Sequence, residues 1–245
     1  MNKYCFMNSE TNNSEMLGNY NYLCLVEGEI QEWLFDLARA FHSNKNLTQI
    51  LSSEEKFRAD KFHFEKDRRH FVTRRGLLRI ILGKYLDEAP ELLKFSQGKY
   101  GKLNLGYPQK TPWIHFNLSH SGEICMYVFT CSREIGVDIE QIRYLQDRDL
   151  IAKHFLSNKE YVVFSALEEN EKTEAFFNSW VRKEAFIKAK GIGLSCPLES
   201  LEVTLIPGEP ARLVTTKDIS EETGRWTLYE INPLAGYAGA IVVHN

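Results

Sequence analysis

Hydrophobic positions along this chain change period several times, and each change marks an element. Between Lys66 and Leu86, the residues Phe71, Leu78, Ile81, Leu82 and Tyr85 recur at helical spacing, with seven Lys and Arg elsewhere. That pattern predicts a long amphipathic helix. A second helix is predicted over Thr173–Gly191, with Gly191 as its C-cap. Ser52-x-x-Glu55 and Ser157-x-x-Glu160 have the form of capping boxes and start shorter helices. Alternating or continuous β-branched and aromatic runs at 114–119, 123–131 and 135–142 predict strands, as do the runs at 201–206, 211–216, 225–231 and 238–245. The stretch 25–41 suggests a strand end, a turn and a helix, and the Gly-, Lys- and Pro-rich stretch 95–113 reads as a connecting loop.

A box followed by a long basic helix occurs twice, so the expected fold class is α/β (α+β), built as two similar halves. The expected division is a loosely held Asn/Ser-rich tail at 1–20, one α/β subdomain at 21–112 and a second at 113–245, with a site where they meet.

Composition narrows the function. With 245 residues, 43% apolar and 26% charged, the chain has the balance of a globular protein. A net charge of −3 gives no field suited to nucleic acid. The longest nearly unbroken apolar stretch, Ile124–Cys131, is too short to cross a membrane, and the first 22 residues lack the apolar core of a secretory signal. Five cysteines without a C-x-x-C pair argue against a disulfide framework or zinc site, and for the cytoplasm.

Three segments carry candidate chemistry. In Ile135–Ile142, Asp138 and Glu140 alternate onto one strand face, away from Val137 and Ile139. In a cleft, such a pair calls for a cation, and oxygen-only donors select a hard ion such as Mg²⁺. In Trp180–Lys190, Trp180, Glu184 and Lys188 share one helix face. In Phe116–Gly122, Ser119 and His120 end an apolar strand, where amides and an imidazole can meet an anion. Each has a plainer reading taken alone: a polar strand face, a surface Glu–Lys pair, a polar turn. A Ser/His nucleophile fits poorly, since adjacent strand residues point apart and no G-x-S-x-G elbow is present. A Mg²⁺-dependent nuclease would want a lysine where Ile142 stands, and a non-catalytic carrier- or coenzyme A-binding module would be expected to lose one of the acids or Lys188.

Together, FNLSHSG (116–122), IGVDIE (135–140) and WVRKEAFIKAKGIGL (180–194) resemble the Sfp-type 4′-phosphopantetheinyl transferases, with support from EKFRADKF (55–62), RRGLLR (74–79) and GKYGKL (98–103). The resemblance implies a monomer with coenzyme A bound between two pseudo-twofold halves. It implies transfer of the phosphopantetheine arm to a serine of an apo carrier protein, releasing 3′,5′-ADP. By matching motifs, Asp138, Glu140 and Glu184 are the implied Mg²⁺ ligands, and Lys188, Ser119, His120 and Lys102 are implied phosphate contacts. Leu103 departs from the usual Pro of the Lys102 loop. Lys56, Arg58 and Arg75 match the 3′-phosphate surface. The general base is expected to be Glu184, with Glu160 second, although its place in a capping box already accounts for a Glu there. The basic helix Lys66–Leu86 is expected to attract the acidic helix of a carrier.

Overall fold

The computed structural model describes residues 3–5, 23–44, 46–106, 113–193, 196–214 and 224–245. The chain runs through β1 (Lys3–Cys5), β2 (Ile30–Asp36), α1 (Leu37–Ser43), α2 (Ser53–Ala59), α3 (Glu65–Leu86), β3 (Phe95–Gln97), β4 (Leu103–Leu105), β5 (Ile114–Ser121), β6 (Ile124–Cys131) and β7 (Ile135–Gln141). It continues with α4 (Arg148–Phe155), α5 (Asn158–Ala166), α6 (Glu169–Lys190), β8 (Glu202–Val203), β9 (Leu213–Val214), β10 (Trp226–Ile231) and β11 (Tyr237–His244).

Both predicted capping boxes form. The Ser52 hydroxyl accepts from the Glu55 amide and the Glu55 carboxylate from the Ser52 amide, and Ser157 and Glu160 repeat the exchange. Each box starts a short helix that is followed by a helix of 22 residues, α3 or α6. Gly191 at φ 65° closes α6, a left-handed conformation that a glycine adopts without a Cβ clash.

Strands fall in two main sheets, ordered β1-β2-β6-β5 and β10-β11-β7. The helix α3 lays Leu77, Leu78, Ile81 and Leu82 on Trp33, Phe35, Tyr127 and Phe129 of the first sheet. On the second, α6 packs Ala185, Phe186 and Ala189 with Ala238, Ala240 and Val242. The opposite faces share a core in which Ile30, Met126 and Val128 join Val137, Ile139 and Ile241. The layers thus run helix, sheet, sheet, helix. The helix α6 comes close enough to β7 that a Cβ on Gly136 would lie 2.2 Å from the Ala185 carbonyl oxygen and 2.2 Å from the Ala189 nitrogen.

Four expectations change. Residues 30–36 form a strand, not part of a helix, because pairing with β6 puts Trp33 and Phe35 into the core while Leu34 packs on the opposite side. Lys3–Cys5 pairs in parallel with β2, so this part of the expected tail belongs to the sheet, while the rest of 1–20 lies outside the described residues. The stretch 95–113 contains the β3–β4 hairpin. Finally, β5 and β6 complete the first sheet, so sheet membership carries the first half through Cys131 rather than ending it at residue 112.

Candidate active site

Asp138 and Glu140 lie on β7 facing α6, as their alternation requires. Asp138 is 4% exposed and Glu140 is half-buried. Between β5 and β7 there is no backbone ladder. Side chains of alternate β5 residues cross the gap instead: Asn117 Oδ1 accepts from the Val137 amide at 3.1 Å, the Ser119 hydroxyl donates to Asp138 at 2.7 Å and the Ser121 hydroxyl donates to Glu140 at 2.6 Å. Sequence reasoning singled out Ser119 but missed Asn117 and Ser121. The polar N-x-S-x-S alternation inside an apolar strand was the signal that could have found them.

From α6, Glu184 and Lys188 reach the same place. The Lys188 ammonium donates to Asp138 at 2.6 Å and to the Ser119 hydroxyl at 3.1 Å. Burial and the neighbouring Asp138 raise the pKa of Glu184. Glu140 is raised by burial and by Asp138, against the lowering effect of the Ser121 hydrogen bond. Ser119, expected at a nucleotide phosphate, is thus engaged with Asp138 and Lys188. His120 follows it at the rim, where the protein around it and the Arg74 guanidinium hold its pKa near 4, so the imidazole is neutral at pH 7.

Glu160 is elsewhere. Its carboxylate is 5% exposed and accepts from the Ser157 amide at 2.7 Å, the Val203 amide at 2.7 Å and the Lys183 ammonium at 2.6 Å. Lys183 is itself fully buried and also donates to the carbonyls of Phe155 and Leu198. These contacts give Glu160 a structural role, and the structure does not bring it to the acidic cluster.

A cleft of about 540 Å³ opens along the seam, lined by Arg58 and Arg75 from the first half and by Glu184 and Lys188 from the second. A neighbouring cavity of about 670 Å³ also includes Arg58 and Arg75 and extends toward Ser52 and Phe95. Arg75 pairs with Glu55 at 3.2 Å, leaving its buried Nη1 without a hydrogen-bond partner. Such a group is suited to a phosphate oxygen. Lys102 lines the cleft, yet its ammonium is bound to Glu134 and, at 2.6 Å, to the Ala189 carbonyl. Lys56 is outside both cavities and donates to the Gln49 carbonyl at 3.2 Å. Of the α3 basic residues expected to face a partner, Arg79 is 1% exposed and bound to Glu55 and the carbonyls of Pro90 and Leu93. With Arg74 and Arg75 half-buried as well, the exposed charge on α3 lies nearer its start, at Lys66 and Arg69.

The three acids do not form a ready-made cage: among the described residues, no group of three or more His, Cys, Asp and Glu side chains is gathered to hold a metal ion. Their chemistry nevertheless suits a hard divalent ion. The donors are all oxygen, the Asp138 charge helps raise the pKa of Glu140 and of Glu184, and Asp138 Oδ2 and Glu184 Oε1 are buried without a hydrogen-bond partner. An unpaired buried carboxylate oxygen is costly, and a bound cation offsets that cost.

Glu184 and Lys188 on one wall, with Asp138 and Glu140 beside them, and an arginine pair on the other are groups suited to polyanion chemistry, as in phosphoryl-group transferases. The chain matches the family model of the 4′-phosphopantetheinyl transferase superfamily over residues 134–242 and that of the 4′-phosphopantetheinyl transferase N-terminal region over 40–132, which meet where the two sheets divide. It is 36% identical to 4′-phosphopantetheinyl transferase HetI of Nostoc sp. over 221 residues, covering 90% of each chain. It is 33% identical to 4′-phosphopantetheinyl transferase Sfp of Bacillus subtilis, over 66% of this chain and 70% of that one. Among solved structures, a holo-(acyl-carrier-protein) synthase from Bacillus anthracis in complex with CoA (3′,5′-ADP) aligns with 45% of this chain and 94% of that one, at 23% identity and a TM-score of 0.37. The chain belongs to the 4′-phosphopantetheinyl transferase superfamily.

Proposed function

We propose that this protein transfers the 4′-phosphopantetheine group from coenzyme A to a serine of apo carrier proteins, acting as a Mg²⁺-dependent monomer in the cytoplasm. The observation that carries the reading is the seam cleft, where Arg58 and Arg75 face Glu184 and Lys188. The serine oxygen attacks the phosphorus on the pantetheine side of the diphosphate. The P–O bond to the nucleotide breaks, and 3′,5′-ADP leaves.

Asp138, Glu140 and Glu184 are the residues that would hold Mg²⁺, which when bound neutralises charge on the diphosphate oxygens. The protein's own groups divide the remaining work. Arg58 and Arg75 bind the terminal 3′-phosphate and fix the nucleotide end. The Lys188 ammonium, one turn beyond Glu184, offers positive charge to the diphosphate. Glu184 takes the serine proton, directly or through a water, from its place beside Lys188 on the cleft wall. The exposed Lys66 and Arg69 of α3 steer an acidic carrier toward the site.

Incubation with coenzyme A, Mg²⁺ and a panel of apo carriers, read by intact mass, should show the phosphopantetheine adduct on some of them. Asp138→Ala should abolish the adduct while leaving the fold intact. Near-normal modification by that variant would refute the role given to the acidic cluster.

A further inference from the structure

Ser121 is buried at the end of β5, and its hydroxyl is used in both directions. It accepts from the Gln141 amide at 3.0 Å and donates to Glu140 Oε2 at 2.6 Å. A hydroxyl has one proton, so the accepted bond leaves that proton to the carboxylate and fixes its direction. Among the described residues, no other side chain hydrogen-bonds the Glu140 carboxylate. Asp138 differs, because Ser119 and Lys188 both donate to it and the loss of one leaves the other.

We infer that Ser121 is a positioning residue, which sets the Glu140 carboxylate for divalent-ion binding from the opposite side of the seam. The inference rests on the reading of Asp138, Glu140 and Glu184 as the ion site. Its geometric basis is the side-chain zipper between β5 and β7. Donors on the free edge of β7 that a ladder would satisfy are met here by Asn117 and Ser121. The residue that closes the edge at Gln141 is also the one that orients Glu140, so strand spacing and ligand direction are set by the same atom. Outer-shell partners of this kind commonly govern ion affinity about as strongly as tenfold to a hundredfold.

The test is Mn²⁺ binding to the full chain without coenzyme A, counted by electron paramagnetic resonance, alongside thermal unfolding. Ser121→Ala should weaken Mn²⁺ affinity roughly tenfold to a hundredfold. Ser121→Thr keeps the hydroxyl on a residue suited to a strand and should restore it. A merely structural serine would lower the melting temperature of the Ala variant and leave the affinity unchanged, and that result overturns the inference while the ion site stands. Weak binding in both variants also overturns it, since the hydroxyl is then not the cause. If the unaltered protein binds no Mn²⁺, the ion site and this inference fall together.

Discussion

Glu32 is the most exacting test of the physical reasoning, because its cost can be worked out in advance. It lies on β2 opposite Val128, is 3% exposed, and neither carboxylate oxygen has a hydrogen-bond partner. Burial raises its pKa from 4.5 to about 7. At about 1.4 kcal/mol per pH unit, that difference penalises the folded state by about 3 kcal/mol once the group is ionised. The unfolded chain releases this proton near pH 4.5 and the folded chain near pH 7. Between those values the folded state binds the extra proton, so stability falls as pH rises, and the penalty is complete above about pH 7. Glu32→Gln removes the titration. Its amide brings unmet donors of its own, but that cost does not change with pH. The melting temperature of the unaltered protein, relative to the variant, should therefore drop between pH 4.5 and pH 8. At about 2–4 °C per kcal/mol for a chain of this size, the relative change is roughly 6–12 °C. Parallel melting curves for the two proteins across that range would refute the claim that burial alone holds this carboxyl.

Gly136→Ala should cost about 3 kcal/mol in urea unfolding, because the new methyl lands on helix backbone that cannot rotate away. Arg75→Ala should raise the KM for coenzyme A by about tenfold or more through loss of a charge-assisted hydrogen bond, with little change in the KM for dephospho-coenzyme A. Steady-state assays with both donors check this, and an equal change for the two would place the 3′-phosphate elsewhere. Glu160→Gln breaks the buried pair with Lys183 and should cost about 3–5 kcal/mol of stability, with kcat of the folded protein within a few-fold of normal. A loss of several orders of magnitude in kcat would restore Glu160 as a base.

What could be read from the sequence was mostly local. Capping boxes, the glycine cap of α6 and the strands at 114–141 depend on residues a few positions apart, so spacing suffices. The Asp138/Glu140 face was legible for the same reason. Less was visible where long-range pairing decides. Residues 30–36 hold a helix-compatible mixture, and only partnership with β6 makes them a strand. Arg79 and Arg75 look like surface charge in a basic helix until Glu55, from a different helix, is placed beside them. Lys183 and Glu184 are neighbours in the sequence, yet one is sealed in the core and the other lines the cleft. A helical pattern separates such faces only when the partners on each side are known.

The two halves contribute opposite parts of one electrostatic device. The first supplies Arg58 and Arg75, and burial disfavours the charge on Arg75 enough to lower its pKa. The second supplies acids that burial and mutual repulsion disfavour, with Lys188 compensating Asp138. Each side carries charge at a cost in the unliganded protein. On the proposed reading, a polyanion together with a divalent ion would relieve both sides at once: the arginines would gain an anion and the acids a cation. Binding of the two should therefore be mutually reinforcing, since either alone satisfies only one side of the cleft. The seam is the place where such reciprocity can be built, because there α2 and α3 line one side of a cleft and α6 the other.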